Sequence, residues 1–197
     1  MYTEYEIYSC RPNFYEMNKP DPCKETEILK ATEIIHCSGH RNIAGTHRST
    51  FEITKEPEVS KTGTCIVGVS SDKGSKDLSR EFKRILADDR AELITIFEID
   101  GSEFCIRSCG SSGLTLEHET DIVWRRSGFV CARTIGVYSD CTARMIPRDM
   151  IKKIQAGAEF RVILTARLNP EAPSPSVPHL PGIFHSFEES PCRACKE

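Results

Sequence analysis

The sequence lacks several features that would assign a protein to a class at once. It has no apolar run close to the roughly 18 residues that cross a bilayer. Its first residues, MYTEYEIYSCRPNFYEMNKPD, have neither the basic start nor the apolar stretch of a secretory signal. We therefore expect no membrane partner and a location inside the cell, cytoplasmic or nuclear. The sequence also contains no GxSxG or HExxH motif and no P-loop or dinucleotide fingerprint, so any catalytic residues are unknown.

No excess of charge of one sign runs through the chain. Its 197 residues carry 26 Lys and Arg against 29 Asp and Glu, a formal net charge of −3. Nucleic-acid binding without a recognised motif needs clustered basic residues that neutralise phosphates. The densest basic cluster contains Lys76, Arg80, Lys83 and Arg84. This cluster lies on a predicted amphipathic helix, where it is typical of a solvated face.

Cysteine is unusually abundant, with ten in the chain. In the absence of a secretory signal we predict thiols rather than disulfides. Cys192 and Cys195 form a CxxC pair near the C-terminal end, which would supply half of a tetrahedral zinc site. The alternative is an exposed tail that holds no metal.

Proline marks the ends of the predicted domain. Residues 1–30 are polar and turn-rich, which predicts a peripheral N-terminal extension. Residues 169–191 contain six prolines, a density that excludes a helix or a central strand. We therefore predict a domain at residues 31–168, followed at residues 169–197 by a disordered, proline-rich tail that carries the CxxC pair and is a candidate site for a protein partner.

The predicted domain repeats itself. Residues 39–55, GHRNIAGTHRSTFEITK, align without a gap on residues 110–126, GSSGLTLEHETDIVWRR. After a short deletion, residues 67–86 align on residues 135–154, and a third block follows in the same order. Apolar positions match throughout, so we predict an internal duplication with repeats at about 32–99 and 103–167.

Each predicted repeat contains strand, loop, strand, strand, helix and strand. Residues rich in β-branched and aromatic side chains predict the strands, and an apolar stripe at helical spacing predicts each helix. Neither copy is large enough to close a core alone. We therefore predict a mainly β fold with two helices, in the α+β class, arranged as a pseudo-twofold β-barrel. Cradle-loop and double-psi barrels are the architectures that it resembles by analogy.

Three blocks of the sequence resemble a known family. GHRNIAGTHRSTFEITKE at residues 39–56, GTCIVGVSSDKGSKDL at residues 63–78 and SGFVCARTIGVYSDCTAR at residues 127–144 resemble the mainly archaeal family catalogued as domain of unknown function 371. The resemblance covers residues 32–168, and this chain has Arg41 where the family usually has proline. It implies a shared fold and no particular activity.

The alignment pairs two histidines and two aspartates. His47 falls on His118, and Asp72 falls on Asp140. Two histidines and two carboxylates suit a divalent transition metal such as zinc, iron or manganese, which gives the hypothesis of a metal held by His47 and His118. The alternative is structural. Both histidines would hold a neighbouring loop, and each aspartate would cap the turn into the following helix.

The two aligned loops differ in charge. The first contains HRN and RST around its histidine, whereas the second contains SSG and ETD. Such divergence is expected where one copy has acquired a ligand site. His40, Arg48 and Lys73 are candidates to bind a phosphate or a carboxylate, together with backbone N–H groups of residues 70–74.

These observations predict a binding module for a small anionic ligand or a nucleic acid. One alternative is an enzyme that uses the paired histidines, with a divalent transition metal as the candidate cofactor. A further alternative is an adaptor that binds a protein partner through the tail. The predicted ligand-binding residues are His40, His47, Arg48, Thr50, Asp72, Lys73, His118 and Asp140.

Overall fold

The computed structural model of the protein describes residues 28–171. Residues 1–27 and 172–197 lie outside the described residues. They include the CxxC pair and nearly all of the two predicted peripheral segments, so the predictions made for those segments stay predictions.

Eight strands, two α-helices and two short 3-10 turns make up the described chain. Its first half contains β1 (Leu29–Ser38), β2 (Thr50–Thr54), β3 (Ile66–Gly68), a 3-10 turn (Ser75–Asp77), α1 (Arg80–Leu86) and β4 (Glu92–Ile99). Its second half contains β5 (Ser102–Cys109), β6 (Asp121–Arg125), β7 (Thr134–Gly136), a 3-10 turn (Ala143–Met145), α2 (Arg148–Gln155) and β8 (Glu159–Leu168). The prediction of a mainly β fold with two helices is confirmed.

The strands form two four-stranded sheets. The long sheet has the order β1-β8-β4-β5, and all of its neighbouring strands are antiparallel. The short sheet has the order β3-β2-β6-β7, with an antiparallel β2–β6 pair at its centre and a parallel pair on each side. Single antiparallel bridges, Ser38–Val69 and Cys109–Val137, connect the edges of the two sheets at two corners.

The prediction of a closed barrel is wrong, because within residues 28–171 neither sheet closes on itself. The third strand of each half is very short, because β3 and β7 have only three residues each. Shortly after each strand the backbone leaves the extended region, at Ser70 (φ 50°) and Tyr138 (φ 51°). Strands this short cannot continue a ladder along β1 or β5, so each corner is limited to a single bridge.

The hydrophobic core lies between the two sheets. Phe51 and Trp124 from the short sheet stack with ring centroids 4.6 Å apart, and Phe97 from the long sheet meets Phe51 edge-on at 5.9 Å. The helices add Phe82 from α1 and Ile151 from α2, both fully buried. Burying an aromatic or aliphatic side chain of this size stabilises the fold by about 1.5–3 kcal/mol.

The order of elements in the first half recurs in the second half. At the centre of the short sheet Glu52 pairs with Val123, and at the centre of the long sheet Ile96 pairs with Ile163. In the sequence alignment these same residues are equivalent to each other. In each of the two central ladders, one residue of the first half is therefore paired with its own aligned counterpart in the second half.

Candidate functional site

The short sheet turns one face to the core and the other face outward. Phe51 and Ile53 of β2 are buried in the core, so alternation along the strand places the residues between and beside them on the outer face. In β6, Ile122 and Trp124 point into the core in the same way. The residues on this other face are Thr50, Glu52, Thr54, Asp121, Val123 and Arg125, of which Glu52, Thr54 and Val123 are themselves buried.

The register gives this outer face two distinct ends. Thr50 lies opposite Arg125 at one end, and Thr54 lies opposite Asp121 at the other. The first end follows the turn that contains His47, and the second follows the turn that contains His118.

Each histidine caps the turn that leads into one of these strands. Nδ1 of His47 accepts hydrogen bonds from the Thr50 main-chain N–H at 3.2 Å and from the Thr50 hydroxyl at 2.9 Å. Nδ1 of His118 accepts one from the Asp121 main-chain N–H at 2.9 Å. Because Nδ1 is the acceptor, the ring proton of the neutral imidazole lies on Nε2. This geometry is the loop-holding role that the sequence left open as the structural alternative.

The two histidines lie at opposite ends of the β2–β6 ladder. Their capped residues, Thr50 and Asp121, are separated by four steps along the strands, or about 13 Å at 3.3 Å per residue. One metal ion cannot span such a distance. Within residues 28–171 there is also no group of three or more His, Cys, Asp or Glu side chains arranged to hold a metal.

Two carboxyl groups share one arginine at the His118 end. Arg133 Nη1 lies 3.2 Å from Glu52 Oε1 and 3.3 Å from Asp121 Oδ2. The Thr54 hydroxyl donates to Asp121 Oδ1 at 2.8 Å, and the Cys65 thiol donates to Glu52 Oε2 at 3.5 Å. Glu52 is buried, so its charge depends on these partners rather than on water.

The pKa values of these two carboxyl groups are shifted in opposite directions. Burial raises the pKa of Glu52, the Arg133 guanidinium partly offsets this, and the charge of Asp121 raises it again. Burial also acts to raise the pKa of Asp121, but hydrogen bonds from Thr54 and Thr120 outweigh it and lower that pKa. A pair of carboxyl groups with divergent pKa values can share one proton.

Five arginines gather at the His47 end. The main-chain N–H of Arg126 donates to Ser49 O at 2.9 Å, and that of Arg144 donates to His47 O at 3.2 Å, so both lie beside the histidine turn. Arg125 is paired with Thr50 across the ladder. Arg148 and Arg48 complete the group: the Arg148 guanidinium donates to the carbonyls of Ala44 and Gly45, and Arg48 follows His47 directly.

None of these arginines has an acidic partner in the described part of the chain. Arg125 donates to the Thr134 hydroxyl, Arg148 to carbonyl groups and Arg126 to a thioether sulfur. All except Arg125 are exposed. We call the surface formed by His47, Arg48, Arg125, Arg126, Phe129, Arg144, Met145 and Arg148 the arginine surface.

The arginine surface also exposes two large apolar side chains. Phe129 is 60% exposed, and the guanidinium of Arg125 lies over its ring at 5.0 Å. Met145 is 47% exposed, with its sulfur 3.6 Å from Arg126 Nη1. Exposed aromatic rings beside arginines are the combination that proteins use to stack nucleobases.

A thiol beside Arg125 has a lowered pKa. Arg125 Nη2 lies 3.3 Å from the sulfur of Cys131. Burial acts to raise the pKa of Cys131, but hydrogen bonds from Thr134 and from the Arg133 main chain, together with Arg125, lower it to about 7. The thiolate form of Cys131 is therefore stabilised.

At the His118 end, the basic residues that align with arginines of the His47 end are paired with carboxylates. Lys76 stands where the other end has Arg144, and it pairs with Glu119, which stands where the other end has Arg48. Lys55, in the place of Arg126, pairs with Asp77 at 3.0 Å. The two ends of one face thus differ in charge: one is internally compensated and the other is basic.

The remaining predicted ligand residues from the first half have structural partners. His40 Nε2 lies 3.3 Å from Glu58 Oε2. Lys73 Nζ donates to Glu33 Oε2 at 2.6 Å, and the buried Glu33 also accepts the Ser79 main-chain N–H at the start of α1. Lys73 therefore compensates a buried carboxylate.

The two predicted aspartates hold turns against the edges of the long sheet. Asp72 Oδ1 accepts the His36 main-chain N–H at 2.9 Å, and Asp140 Oδ1 accepts that of Arg107 at 3.0 Å. The alternative in which each aspartate caps the turn into the following helix differs from the structure, because both carboxylates accept main-chain N–H groups of the long sheet. Ser79 provides the N-cap of α1, and Pro147 stands at that position of α2. The aspartates act earlier, at the sheet corners. There each turn returns a main-chain hydrogen bond to the same edge residue.

A cleft of about 420 Å³ lies at one end of the long sheet. Its lining includes Asp72, Glu98, Asp100, Glu159, His36 and Arg161. Two ion pairs lie within this lining, His36 with Asp72 at 3.0 Å and Arg161 with Glu98 at 2.7 Å. The cleft is predominantly acidic. It includes Asp72 from the predicted ligand-binding residues, and the other predicted residues lie outside its lining.

Of the predicted residues, His47 and Arg48 belong to the arginine surface, and Thr50 is hydrogen-bonded to His47 beside it. The other predicted residues lie elsewhere. Sequence reasoning missed Arg125, Arg126, Arg144 and Arg148, because only the tertiary structure brings these residues of the second half to the turn that contains His47. A signal was present in WRRSGF at residues 124–129, where two arginines and an aromatic residue follow a strand.

Fold and site together define a two-sheet α+β domain with a basic surface at one end of its short sheet. Residues 35–167 match the family described as Domain of unknown function (DUF371), so the chain belongs to that family, and the resemblance predicted from the sequence is confirmed. The chain is similar to Uncharacterized protein MJ0206 of Methanocaldococcus jannaschii, with 38% identity over 133 residues that make up 66% of this chain and 98% of that protein. Among the described helices, none combines the length and the apolar character needed to span a membrane.

Proposed function

We propose that the arginine surface binds single-stranded nucleic acid. The observation that supports this most directly is a group of five arginines, none of which has an acidic partner among residues 28–171, beside exposed Phe129 and Met145. The sequence left a small anionic ligand and a nucleic acid open, and the exposed apolar side chains favour the nucleic acid.

The arginines supply the phosphate contacts. Guanidinium groups bind phosphate oxygens with two parallel hydrogen bonds, and each neutralised phosphate releases a counterion. Arg48 and Arg144 are exposed, and their guanidinium groups make no hydrogen bond or ion pair within residues 28–171. His47 adds its Nε2–H, since its Nδ1 accepts the Thr50 N–H.

Phe129 supplies a platform for a base. Arg125 covers one face of the ring at 5.0 Å, and the residue is 60% exposed. Stacking of a base on such a ring contributes about 1–3 kcal/mol. A small inorganic anion would gain nothing from this apolar surface, so Phe129 separates the two ligand classes.

Fluorescence anisotropy of a labelled single-stranded RNA of 12 nucleotides tests the proposal. We expect Arg48→Ala with Arg126→Ala and Arg144→Ala to weaken binding at least 100-fold, and to flatten the plot of log affinity against log salt by about 0.7 per lost phosphate contact. Phe129→Ala should weaken binding by about 5- to 150-fold, the equivalent of one lost stack.

The other end of the same face provides the matched control. Lys55→Ala with Lys76→Ala alters two of the aligned positions, and we expect it to leave the affinity within twofold of wild type. Equal losses in both variants, or no binding by wild type at 50 mM salt, would contradict the proposal. Competition by inorganic phosphate as effective as competition by the oligonucleotide would instead support a small anionic ligand.

The enzymatic alternative has less support. It relied on His47 and His118 sharing one site, and their capped residues lie at opposite ends of the ladder. The adaptor alternative depends on residues outside the described range.

We also infer that the two halves descend from one duplicated unit. The repeated element order and the pairing of Glu52 with Val123 and Ile96 with Ile163 support this. A cytoplasmic or nuclear location belongs to the same proposal and is supported by Cys37, Cys65, Cys109, Cys131 and Cys141, which are thiols rather than members of disulfides.

A further inference from the structure

A row of isoleucines crosses the outer face of the long sheet. Ile34, Ile163 and Ile96 are cross-strand partners on β1, β8 and β4. Ile34 is 40% exposed, and the other two are half-buried. Ile94, two residues before Ile96, extends the row on the same face.

Charge is separated into two columns around this row. The outward charges on β1 and β8 are mainly basic: Lys30, His36, Arg161 and Arg167. Those on β4 and β5 are mainly acidic: Glu92, Glu98 and Glu103. Two residues depart from the pattern, Glu159 at the first position of β8 and Arg107 on β5. One half of the face is therefore complementary in charge to the other half.

We propose that two copies of this chain pair through this face, about a twofold axis that runs along the strands. Such an axis exchanges the two columns, so Arg161 faces the partner's Glu98 and Ile163 faces the partner's Ile96. An axis across the strands would place each basic column on the same basic column of the other copy. The charge pattern thus indicates that a second copy of the chain covers this face and that the twofold axis runs along the strands.

The geometry suits the packing of two sheets. Aligned sheets pack about 10 Å apart with strand directions within about 30° of each other, and an axis along the strands produces this arrangement. Arg161 and Glu98 already pair within one chain at 2.7 Å. In the dimer these pairs from the two copies would join into a network of four charges across the axis.

The size of the face predicts a weak dimer. Four strands about 4.8 Å apart and four rows of outward residues cover roughly 500 Å² on each copy. A standard stable interface buries about 800 Å² on each partner. We therefore expect dissociation in the micromolar range, which sets the concentrations at which the dimer is to be sought.

The face lies on the other side of the core from the arginine surface, so this proposal does not depend on nucleic-acid binding. Competing occupants are the chain's own residues 1–27 and 172–197, which continue from the paired ends of β1 and β8 at Leu29 and Leu168. The self-complementary charge pattern favours a second copy, because an axis along the strands places Arg161 of each copy against the partner's Glu98 with no further molecule required.

Sedimentation equilibrium of the full chain from 5 to 500 µM tests the proposal. We expect wild type to change from monomer to dimer over this range. An acidic variant, Arg161→Glu with Arg167→Glu, and a basic variant, Glu92→Lys with Glu98→Lys, should each dissociate at least tenfold more readily. An equimolar mixture of the two variants should restore a dimer that contains one copy of each.

A third variant controls for net charge. Lys61→Glu with Lys152→Glu makes the same change in charge as the acidic variant at exposed positions away from the face, and it should dimerise like wild type. Thermal melts of each variant confirm folding. Wild type that stays monomeric at 500 µM overturns the proposal and points to a segment of the same chain on this face. Failure of the mixed variants to associate, or equal weakening in the control, also overturns it.

Discussion

Glu52 is a carboxyl group whose ionisation works against the fold. It is buried, and its neighbours include another carboxylate, Asp121, as well as Arg133. The pKa of Glu52 is raised in the folded protein. The folded state therefore holds this proton more tightly than the unfolded state, in which the pKa is about 4.3.

We predict that wild type loses stability relative to Glu52→Gln as the pH rises. The raised pKa contributes stability that is fully present below the unfolded-state pKa of about 4.3 and is lost as pH rises through the folded-state pKa. Glutamine keeps the shape and does not titrate. Thermal melts of both proteins between pH 4 and pH 7.5 measure the difference, with exposed Glu117→Gln as the matched control. A difference in melting temperature that does not change with pH would contradict the prediction.

Divergence between the two halves is visible at single residues. The Ser79 main-chain N–H at the start of α1 donates to Glu33, and Lys73 neutralises that carboxylate. At the aligned position before α2 stands Pro147, which has no N–H, and the residue aligned with Glu33 is Phe104. At these two aligned positions, a buried carboxylate is thus present only in the first half, where a main-chain N–H group can donate to it.

At the scale of elements, two glycines determine how closely the helices approach. A Cβ on Gly39 would lie 1.9 Å from the carbonyl oxygen of Ile154 at the end of α2, and a Cβ on Gly110 would lie 2.3 Å from that of Leu86 at the end of α1. The two glycines are aligned in the sequence, and each contacts the helix of the opposite half. Only a residue without a side chain allows this contact.

We predict that Gly39→Ala and Gly110→Ala each reduce the free energy of unfolding by about 3 kcal/mol or more, because a helix end must move. Gly101→Ala is the control: its φ is +73°, but an added Cβ meets nothing within 4 Å. Backbone strain alone should cost about 1–2 kcal/mol there. Urea denaturation measures all three variants, and equal losses would show that conformation rather than close approach explains the effect.

Elements and their order were predictable, whereas sheet closure was not. Alternation in ELITIFEI and the apolar stripe of α2 depend on neighbours a few residues apart, so local spacing indicates them. The short β3 and β7 depend on where the backbone turns. Positive φ at Ser70 and Tyr138 is adopted by residues that carry no sequence signal for it.

At the scale of the whole molecule, the two sheets and both helices lie within residues 28–171. The family match at residues 35–167 lies inside this range. The relative from Methanocaldococcus jannaschii aligns over 98% of its own length, so in that protein almost nothing lies outside the shared domain.

We predict that removal of residues 172–197 leaves the fold intact. The sequence placed the boundary at residue 169, but Arg90 donates to the Pro170 carbonyl at 2.7 Å, so the cut belongs after residue 171. Ordering the deleted residues would cost about 1–2 kcal/mol each in backbone entropy, which opposes their docking. Differential scanning calorimetry should give a melting temperature within a few degrees of the full chain. Loss of cooperative unfolding would show that the tail completes the core.

What the sequence by itself determined is local or inherited: the two helices, the order of the strands, the family and the contrast in charge between the loops around His47 and His118. Each of these depends on residues close together in the chain or on aligned blocks. Only the tertiary structure decided that the two sheets stay open and that the two histidines lie at opposite ends of the β2–β6 ladder. It also decided that Arg125, Arg126 and Arg144 lie beside the turn that contains Arg48. Those outcomes depend on the register of β2 against β6, which pairs residues about 70 positions apart, and periodicity within either strand carries no information about which partner strand it meets or in which register.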